Sequence, residues 1–371
     1  MSEDSTPQDT VKDFFDWRYH AREFYENITM YVLSEHPVSI NFTNETVCAE
    51  DSYVFGLILG LYDDKKDSSS ISLFNISFPN RNSISFNKSQ PNENWGKVNN
   101  VSKYTYKGRI NTSNTNSNND ILVSIDNDLI YIGQFSDTKI NINDDKVTKI
   151  RFIPTESSEL LSHEAFLVTE NRQVLHYKGP NSQAKPTSIH RFKKGITDIS
   201  IDPYNTQTCL VSHGTKKINL LDTRDSARTS FNLKESTSSI SFSPHIPFMF
   251  STGSTGGIVG FYDSRYTQAP IFQITAHDSI VSSVIWSPHQ RDIVASSSDD
   301  AGIALWSVTE AKEKRDGDPI AVFAHNGHLT PITSFDWCKD ISWTLASVSQ
   351  DNLLEVWSIA PYQIDDYYYP K

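Results

Sequence analysis

A short pattern recurs four times in the second half of this chain, and such a recurrence restricts the folds that the chain can adopt. The four copies close with Leu-Leu-Asp-Thr-Arg (220–224), Phe-Tyr-Asp-Ser-Arg (261–265), Ala-Leu-Trp-Ser-Val (304–308) and Glu-Val-Trp-Ser-Ile (355–359). Each copy follows an alternating strand pattern, and Pro203, Pro244 and Pro288 come at the ends of the first three of those strands, at steps of 41 and 44 residues. A unit of this size cannot bury its apolar face alone, so the units must pack against one another.

The period is that of WD40 β-propeller blades, which are about 40–45 residues long and contain four strands each. The sequence therefore predicts an all-β, seven-bladed WD40 β-propeller, a rigid platform suited to binding rather than catalysis. The first three blades have weaker patterns, so six or eight blades stay open as alternatives. Their expected strands are 53–61 and 71–78 for blade one, 101–106, 121–125 and 129–134 for blade two, and 147–153, 165–168 and 174–177 for blade three.

Two further segments have distinct roles in this prediction. Residues 38–42 alternate like a strand and are expected to join the last blade, because ring closure removes exposed strand edges. Residues 111–119 are almost entirely Asn, Ser and Thr, and this composition predicts a flexible low-complexity insert.

The first 36 residues predict an N-terminal α-helix packed on the side of the propeller. Thr6 and Pro7 suit a helix start, and His36 before Pro37 suits its end. An apolar stripe at steps of three and four contains Phe14, Trp17, Ala21, Phe24, Ile28 and Tyr31. The stripe either packs against the propeller alone or leaves part of its width for a partner helix. The expected domains are residues 1–36 (helix), 37–364 (propeller) and 365–371 (C-terminal tail).

Composition excludes several classes of protein. The net charge of −12 argues against a general nucleic-acid binder, which needs clustered Lys and Arg for phosphate contacts, and favours a basic protein partner. No apolar stretch approaches the roughly 18 residues that span a bilayer, and the acidic start is unlike a secretory signal. The three cysteines lie far apart, a pattern typical of a reducing compartment.

Histidine, serine and aspartate recur together in the last two repeats without forming an expected active site. His277 and His328 precede these repeats, while Asp300 and Asp351 each fall six residues before a Trp. A network repeated in successive blades is expected to be structural, since a catalytic triad also needs an exposed nucleophile and an oxyanion site. We therefore expect no catalytic residue, no metal site and no cofactor.

The link between the sixth and seventh blades, residues 309–320, is long and charged. Loops of this length are usually functional or disordered. Asp316 and Asp318 flank Gly317 before Pro319, and two carboxylates on a stiffened turn can grip Lys or Arg, or cap a helix N-terminus. A solvated surface loop is the alternative.

The chain resembles the histone-binding WD40 proteins: the retinoblastoma-binding proteins, the small subunit of chromatin assembly factor, and the partner subunit of the type B histone acetyltransferase. The resemblance is strongest over residues 323–328 and 347–357, and it includes Trp-Ser-Pro-His (286–289) and the order of Trp17, Phe24 and Pro37. It covers the N-terminal segment and blades four to seven well, and residues 43–190 poorly.

The resemblance implies a groove for the first helix of histone H4. Phe24, Phe323 and Ile364 would form its apolar walls, and Asp316 and Asp318 would meet basic residues of the histone helix. The family has Gly-Pro-Pro where this chain has Gly-Asp-Pro (317–319), so the loop loses a proline and gains a carboxylate.

The resemblance also implies a peptide site for the histone H3 tail at one end of the central channel. The corresponding positions in this chain are Asn100, Lys146, Thr197, Ser282 and Gln350. Lys146 has the wrong sign for a basic peptide, so we expect this end to have lost H3-tail binding or to serve another partner.

The resulting functional hypothesis is a non-enzymatic, histone H4-binding subunit of a chromatin complex, located in the nucleus and also the cytoplasm. Its expected partners are H3–H4 and acetyltransferase, assembly-factor or deacetylase subunits, with no direct nucleic-acid or membrane binding. One alternative is a substrate receptor of a cullin-type ubiquitin ligase, because Asp222-Thr223-Arg224 and Asp263-Ser264-Arg265 resemble the Asp-X-Arg ends of such receptors. The other is a transcriptional or centromeric adaptor that no longer binds histone.

Overall fold

The fold is a ring of seven four-stranded antiparallel sheets, as the sequence predicts. It comes from a computed structural model that describes residues 24–48, 52–79, 96–133, 137–142, 145–154, 164–179, 185–214, 216–224, 228–266, 268–309 and 321–364. No helix in these ranges is long and apolar enough to cross a membrane.

The strands of the first three blades follow one another along the chain. Blade one contains β2 (His36–Cys48), β3 (Ser52–Asp63), β4 (Ser68–Pro79) and β5 (Val98–Lys107). Blade two contains β6 (Ile110–Thr115), β7 (Ile121–Ile125), β8 (Asp128–Ile132) and β9 (Asp137–Ile140). Blade three contains β10 (Val147–Phe152), β11 (Glu164–Thr169), β12 (Gln173–Lys178) and β13 (Thr187–Arg191).

The next three blades repeat this order, and the seventh takes one strand from the start of the chain. Blade four contains β14 (Ile196–Asp202), β15 (Asn205–His213), β16 (Lys217–Asp222) and β17 (Arg228–Asn232). Blade five contains β18 (Thr237–Phe242), β19 (Met249–Ser254), β20 (Ile258–Asp263) and β21 (Phe272–Thr275). Blade six contains β22 (Val281–Trp286), β23 (Ile293–Ser298), β24 (Ile303–Ser307) and β25 (Phe323–His325). Blade seven contains β26 (Ile332–Trp337), β27 (Thr344–Ser349), β28 (Leu353–Ile359) and β1 (Tyr25–Val32), and a 3-10 turn at Pro361–Gln363 follows β28.

The first strand of each sheet lines a central channel. A polar cavity of about 310 Å³ on the axis takes its walls from β2, β6, β10, β14, β18, β22 and β26. The apolar core lies between the blades, because each sheet buries both faces against its neighbours. One such cluster joins Phe166 and Val168 of blade three to Cys209 and Val211 of blade four. Middle strands are consequently buried on both faces, as β23 is along its whole length.

The ring closes through β1, and the helix predicted for residues 6–35 is wrong over this part. Residues 25–32 form a strand that pairs antiparallel with β28, from Tyr25 opposite Ile359 to Val32 opposite Leu353. An extra residue, Glu26, forms a β-bulge near the start of this pairing. The free edge of β28 accepts this strand because unpaired edge groups are costly. The part of the predicted helix before residue 24 lies outside the described residues.

The strand predicted to close the ring is instead the innermost strand of blade one. Residues 38–42 belong to β2 and pair with β3, so the expectation that they join the sheet of the last blade is wrong. Residues 38–42 nevertheless lie beside blade seven, where the backbone N–H of Phe42 donates to Asp336 Oδ2 at 2.9 Å. Burial raises the pKa of that carboxyl.

The strand assignment of blade two also needs two corrections. Residues 101–106 lie in β5, the outer strand of blade one, and not in blade two. The polar segment 111–119 is not a flexible insert over its first half, because β6 runs through it and pairs with β7. The strands predicted for blade three match β10, β11 and β12.

Candidate functional site

The outer edge of blade seven is built around one buried aromatic residue of β1. Tyr25 is 5% exposed, and its ring meets Phe323 and Trp357 edge-on at centroid distances of 5.3 and 5.9 Å. The ring of Phe323 stacks on that of Trp357 at 5.7 Å, and Ile364 belongs to the same buried cluster. We call Phe24, Tyr25, Phe323 and Ile364 the blade-seven corner.

The structure brings the three predicted apolar site residues to this corner, but it exposes them unequally. Phe24 is 39% exposed, and its backbone oxygen accepts a hydrogen bond from Ala360 N at 3.0 Å. Phe323 and Ile364 are 7% and 1% exposed, so they form the floor of the corner and Phe24 its surface. The implied role of all three as walls for a histone helix stays a prediction.

The two predicted acidic residues lie in the segment 310–320, outside the described residues. The ends of that segment are described, and both are at the outer edge of blade six. Thr309 follows β24, while Val322 donates its N–H to Leu305 O at 2.7 Å and leads into Phe323. The segment that carries Asp316 and Asp318 therefore starts and ends beside the blade-seven corner.

Blade six contains the buried network that the repeated residues predict. His277 Nε2 lies 2.8 Å from Ser296 Oγ, and its Nδ1 lies 2.9 Å from Asp300 Oδ2. Trp306 Nε1 donates to the same serine oxygen at 2.9 Å. The hydroxyl of Ser296 is buried between these two partners and cannot reach a substrate, so the arrangement fixes the blade and is not a catalytic triad.

Blade seven contains a different network, which centres on a glutamate that sequence reasoning missed. Glu355 is fully buried, and its Oε2 lies 2.7 Å from His325 Nε2 and 3.7 Å from His328 Nε2. Tyr25 Oη lies 2.7 Å from the other nitrogen of His325. The available signal was a charge within the apolar run Leu-Leu-Glu-Val-Trp (353–357), where a strand buried on both faces gives no exit to solvent.

Hydroxyl groups contact both histidines, and one of them fixes the tautomer of His328. The Tyr25 hydroxyl hydrogen-bonds His325 Nδ1 at 2.7 Å, and His325 Nε2 lies 2.7 Å from the carboxylate of Glu355. The hydroxyl of Ser349 donates to Asp351 at 2.6 Å, so it accepts from His328 Nδ1 at 2.7 Å. Burial lowers the pKa of His325 to about 3 and that of His328 to about 4, so both rings are neutral near pH 7.

Two histidines and a carboxylate are also a zinc donor set, and their ligand atoms lie within 4.8 Å of one another. Two atoms bound tetrahedrally to zinc at about 2.1 Å stand about 3.4 Å apart. His325 Nε2 and Glu355 Oε2 are only 2.7 Å apart. In this arrangement the two atoms are therefore too close together to be neighbouring ligands of one zinc ion.

Known proteins resemble this chain over its whole length and over its last repeats. The family model described as WD domain, G-beta repeat, matches residues 268–307 and 317–358. Histone acetyltransferase type B subunit 2 of Debaryomyces hansenii is 23% identical over 397 aligned residues, covering 96% of this chain and 92% of that protein. The protein of the same name from Candida glabrata is 29% identical over 132 residues, 34% of this chain and 32% of the relative. RbAp48-related WD40 repeat-containing protein prw1 of Schizosaccharomyces pombe is 32% identical over 126 residues, 32% of this chain and 29% of the relative.

WD repeats and these relatives support assignment of the chain to the histone-binding WD40 family. Two of the relatives are named as subunits of a histone acetyltransferase.

The Asp-X-Arg ends on blades four and five form local ion pairs. Arg224 donates from Nε to Asp222 Oδ1 at 2.9 Å and from Nη2 to Oδ2 at 2.6 Å. Arg265 holds Asp263 in the same way and lies 4.6 Å above the ring of Phe248. These contacts hold the pKa of Asp222 at about 2 and lower that of Asp263. The pairs explain the motif without a ligase adaptor.

Four of the five positions compared with the family's peptide site lie at one end of the channel. Lys146 precedes β10, Thr197 and Ser282 are the second residues of β14 and β22, and Gln350 N donates to Pro331 O just before β26. Asn100 instead lies on β5, the outer strand of blade one, so it is not a channel residue. These four positions therefore supply polar groups and one lysine, and none of them supplies a carboxylate for a basic peptide.

Proposed function

We propose that this chain is a non-enzymatic subunit of a nuclear chromatin assembly or modifying complex, in which it serves as a histone chaperone or scaffold. The alignment that carries the proposal is the one with a histone acetyltransferase type B subunit 2 over 96% of this chain. An alignment of that extent includes both the first strand of the ring and the last blade.

The proposed ligand is the first helix of histone H4, bound at the blade-seven corner. Phe24 supplies an exposed apolar anchor, and a segment with two aspartates begins and ends next to it. A short amphipathic helix needs an apolar surface for affinity, while carboxylates at the rim orient its basic residues and speed encounter. The net charge of −12 attracts a histone at long range.

The complex would contain H3–H4 together with acetyltransferase, assembly-factor or deacetylase subunits. It would act in the nucleus and also in the cytoplasm. This chain would present the histone and leave the chemistry to its partner, since its buried Ser-His-Asp network is closed to substrates.

The test is binding of a synthetic peptide of the first H4 helix, followed by fluorescence anisotropy. The double variant Asp316→Lys with Asp318→Lys should weaken binding about 100-fold or more, since each reversed charge replaces attraction by repulsion. Phe24→Ala should weaken binding about tenfold, as expected for an interface anchor. Glu170→Lys with Asp299→Lys, two exposed acids in the turns after β11 of blade three and β23 of blade six, makes the same change in net charge and should have little effect.

An H4 affinity that survives both the charge reversal and Phe24→Ala would remove the blade-seven corner from the proposal. If the unaltered chain does not bind H4 but copurifies with a cullin adaptor, the ligase-receptor alternative gains support. Association with neither would favour a transcriptional or centromeric adaptor.

A further inference from the structure

A pocket of about 760 Å³ lies between the outer parts of blades three and four. The residues around it are basic, whereas the chain as a whole is acidic. Its rim carries five cations from three segments: Arg191 of β13, Lys193 and Lys194 of the following loop, and Lys216 and Lys217 at the turn into β16. We call these residues and the cavity they surround the basic pocket. The histone proposal makes no use of it.

The segment that contains the basic pocket has a positive net charge, whereas the whole chain has a negative one. Residues 171–240 contain 11 of the 33 Lys and Arg but 5 of the 45 Asp and Glu, while the whole chain has a net charge of −12. Among the residues that the structure describes, no carboxylate forms an ion pair with any of the five rim cations. Five like charges around one cavity repel one another, and an anion bound between them removes that repulsion.

Backbone hydrogen bonds hold the rim in place before any ligand arrives. Arg172 Nη1 donates to Lys193 O at 2.7 Å, and Gly214 N donates to Gly195 O at 2.8 Å. Leu233 N donates to Lys216 O at 3.0 Å. A pre-arranged rim loses less conformational freedom on binding than lysines on a free loop would.

A glycine in the same turn lets one lysine lie flat against the protein. Gly214 has φ of +59°, and a Cβ there would stand 2.6 Å from Lys194 Cδ. The stem of Lys194 therefore packs over the turn at Gly214.

The floor of the pocket is aromatic and polar. The rings of Phe192 and His213 lie 4.4 Å apart, and Phe192 is buried. Asn219 is 4% exposed, hydrogen-bonds His213 and donates to Ser230 Oγ at 2.8 Å. A cationic rim above a neutral polar floor suits a ligand whose charge lies at its periphery.

We propose that the basic pocket binds a compact polyphosphate, a small molecule with at least two neighbouring phosphate groups. Lysine ammonium and arginine guanidinium groups bind phosphate oxygens, and the four lysines and one arginine of the rim exceed the charge that one phosphate can neutralise. The cavity has the volume of a small-molecule site, and an extended nucleic acid would need cations along a path. The acidic remainder of the surface repels long polyanions, so a short ligand is favoured.

The test is isothermal titration of the full chain with inorganic tripolyphosphate at about 0.15 M salt, where exposed charges are screened beyond about 8 Å. The double variant Lys193→Glu with Lys217→Glu should bind roughly 100-fold more weakly, because two attractions become repulsions. The control Lys97→Glu with Lys107→Glu changes the net charge equally at exposed residues next to and on blade one, and it should bind like the unaltered chain. Orthophosphate should bind roughly tenfold or more weakly than tripolyphosphate, because fewer cations can contact it.

A second measurement does not depend on the variants folding. Saturating tripolyphosphate should protect Lys193 and Lys217 of the unaltered chain from chemical acetylation, read by mass spectrometry, and leave Lys107 reactive. Absence of tripolyphosphate binding, or equal losses in both double variants, would overturn the proposal. Binding of a single-stranded RNA oligonucleotide more tightly than tripolyphosphate at the same salt would also overturn it and assign the pocket to a macromolecule. The H4 peptide should bind the Lys193→Glu, Lys217→Glu variant normally, so this test and the histone test fail independently.

Discussion

Replacing Tyr25 by alanine should remove most of what holds β1 on the edge of blade seven. A buried aromatic side chain takes about 150–250 Å² out of water, which at about 25 cal/mol per Å² corresponds to about 4–6 kcal/mol. Tyr25 is 5% exposed and meets three aromatic rings, those of Phe323, His325 and Trp357. Partial collapse of the cavity lowers the loss, so we expect the free energy of unfolding to fall by about 3–5 kcal/mol.

Two further variants separate the contributions of the ring and the strand. Tyr25→Phe keeps the ring and removes the hydroxyl that hydrogen-bonds His325 Nδ1 at 2.7 Å, which should lower the free energy of unfolding by about 1 kcal/mol. Tyr31→Ala is the matched control on the same strand. Tyr31 is 39% exposed and contacts Phe74 at its rim, so its loss should cost about 1 kcal/mol or less.

The assay is urea denaturation of the four proteins, followed by tryptophan fluorescence and by circular dichroism to check that the two transitions coincide. The midpoint should fall most for Tyr25→Ala and least for Tyr31→Ala or Tyr25→Phe. If Tyr25→Ala loses no more stability than Tyr31→Ala, β1 does not close the ring in the way described here.

Two other perturbations test the buried networks and the turns. Burial holds the pKa of His325 near 3 and of His328 near 4, below the value of about 6.5 for the unfolded chain, so the unfolded state binds more protons as the pH falls. The free energy of unfolding should therefore rise with pH between about 4 and 6.5. It should be up to about 4 kcal/mol lower at pH 5 than at pH 7.5. A urea midpoint that is the same at both pH values would contradict neutral, buried rings. Gly179 (φ +89°) and Gly257 (φ +78°) have similar backbones, but a Cβ would meet nothing within 4 Å at the first and the oxygen of His277 at 2.0 Å at the second. Gly179→Ala should cost about 1 kcal/mol and Gly257→Ala about 2 kcal/mol more, as measured by urea denaturation; equal losses would mean that the turn at Gly257 relaxes freely.

The repeat period was sufficient to predict the ring because the same pattern of strands and turns recurs in the sequence of the last four blades. The Trp and Asp positions of the last repeats predicted the network around His277, and the structure confirms it in blade six. Blade one was found from its long apolar strands, β3 and β4, which are buried on both faces.

The N-terminal segment could not be assigned from its spacing because a bulged strand reproduces helical steps. Tyr25 and Ile28 are three residues apart, yet both pack on the cluster of Phe323 and Trp357, since Glu26 is an extra residue in the pairing with β28. The other face of the same strand packs Tyr31 on blade one. Apolar residues on both faces, with one insertion, give steps of three and four in a strand as in a helix.

The polar strand β6 was missed because it lacks the apolar alternation by which strands were recognised. Burial of apolar side chains is not the only interaction that stabilises the innermost strands. Its residues line a polar channel on one side, and Ser113 is buried against Ser39 of β2 through a hydroxyl pair at 2.6 Å. A segment of Asn, Ser and Thr can therefore be a strand when the next strand of its own sheet supplies the backbone partners and the neighbouring sheet supplies side-chain partners. The assignment of residues 101–106 to blade two followed from the same omission, because with β6 unrecognised they were the next available strand.

The position of β1 has a consequence for how the protein is made. The ribosome releases residue 25 early, but Ile359, which pairs with it, is added more than 300 residues later. At about 5–20 residues per second, the first strand waits roughly 15–70 s for its partner, and six blades can assemble during that time. Throughout this interval the apolar first strand is available to chaperones, and to any partner that binds before the circle is complete.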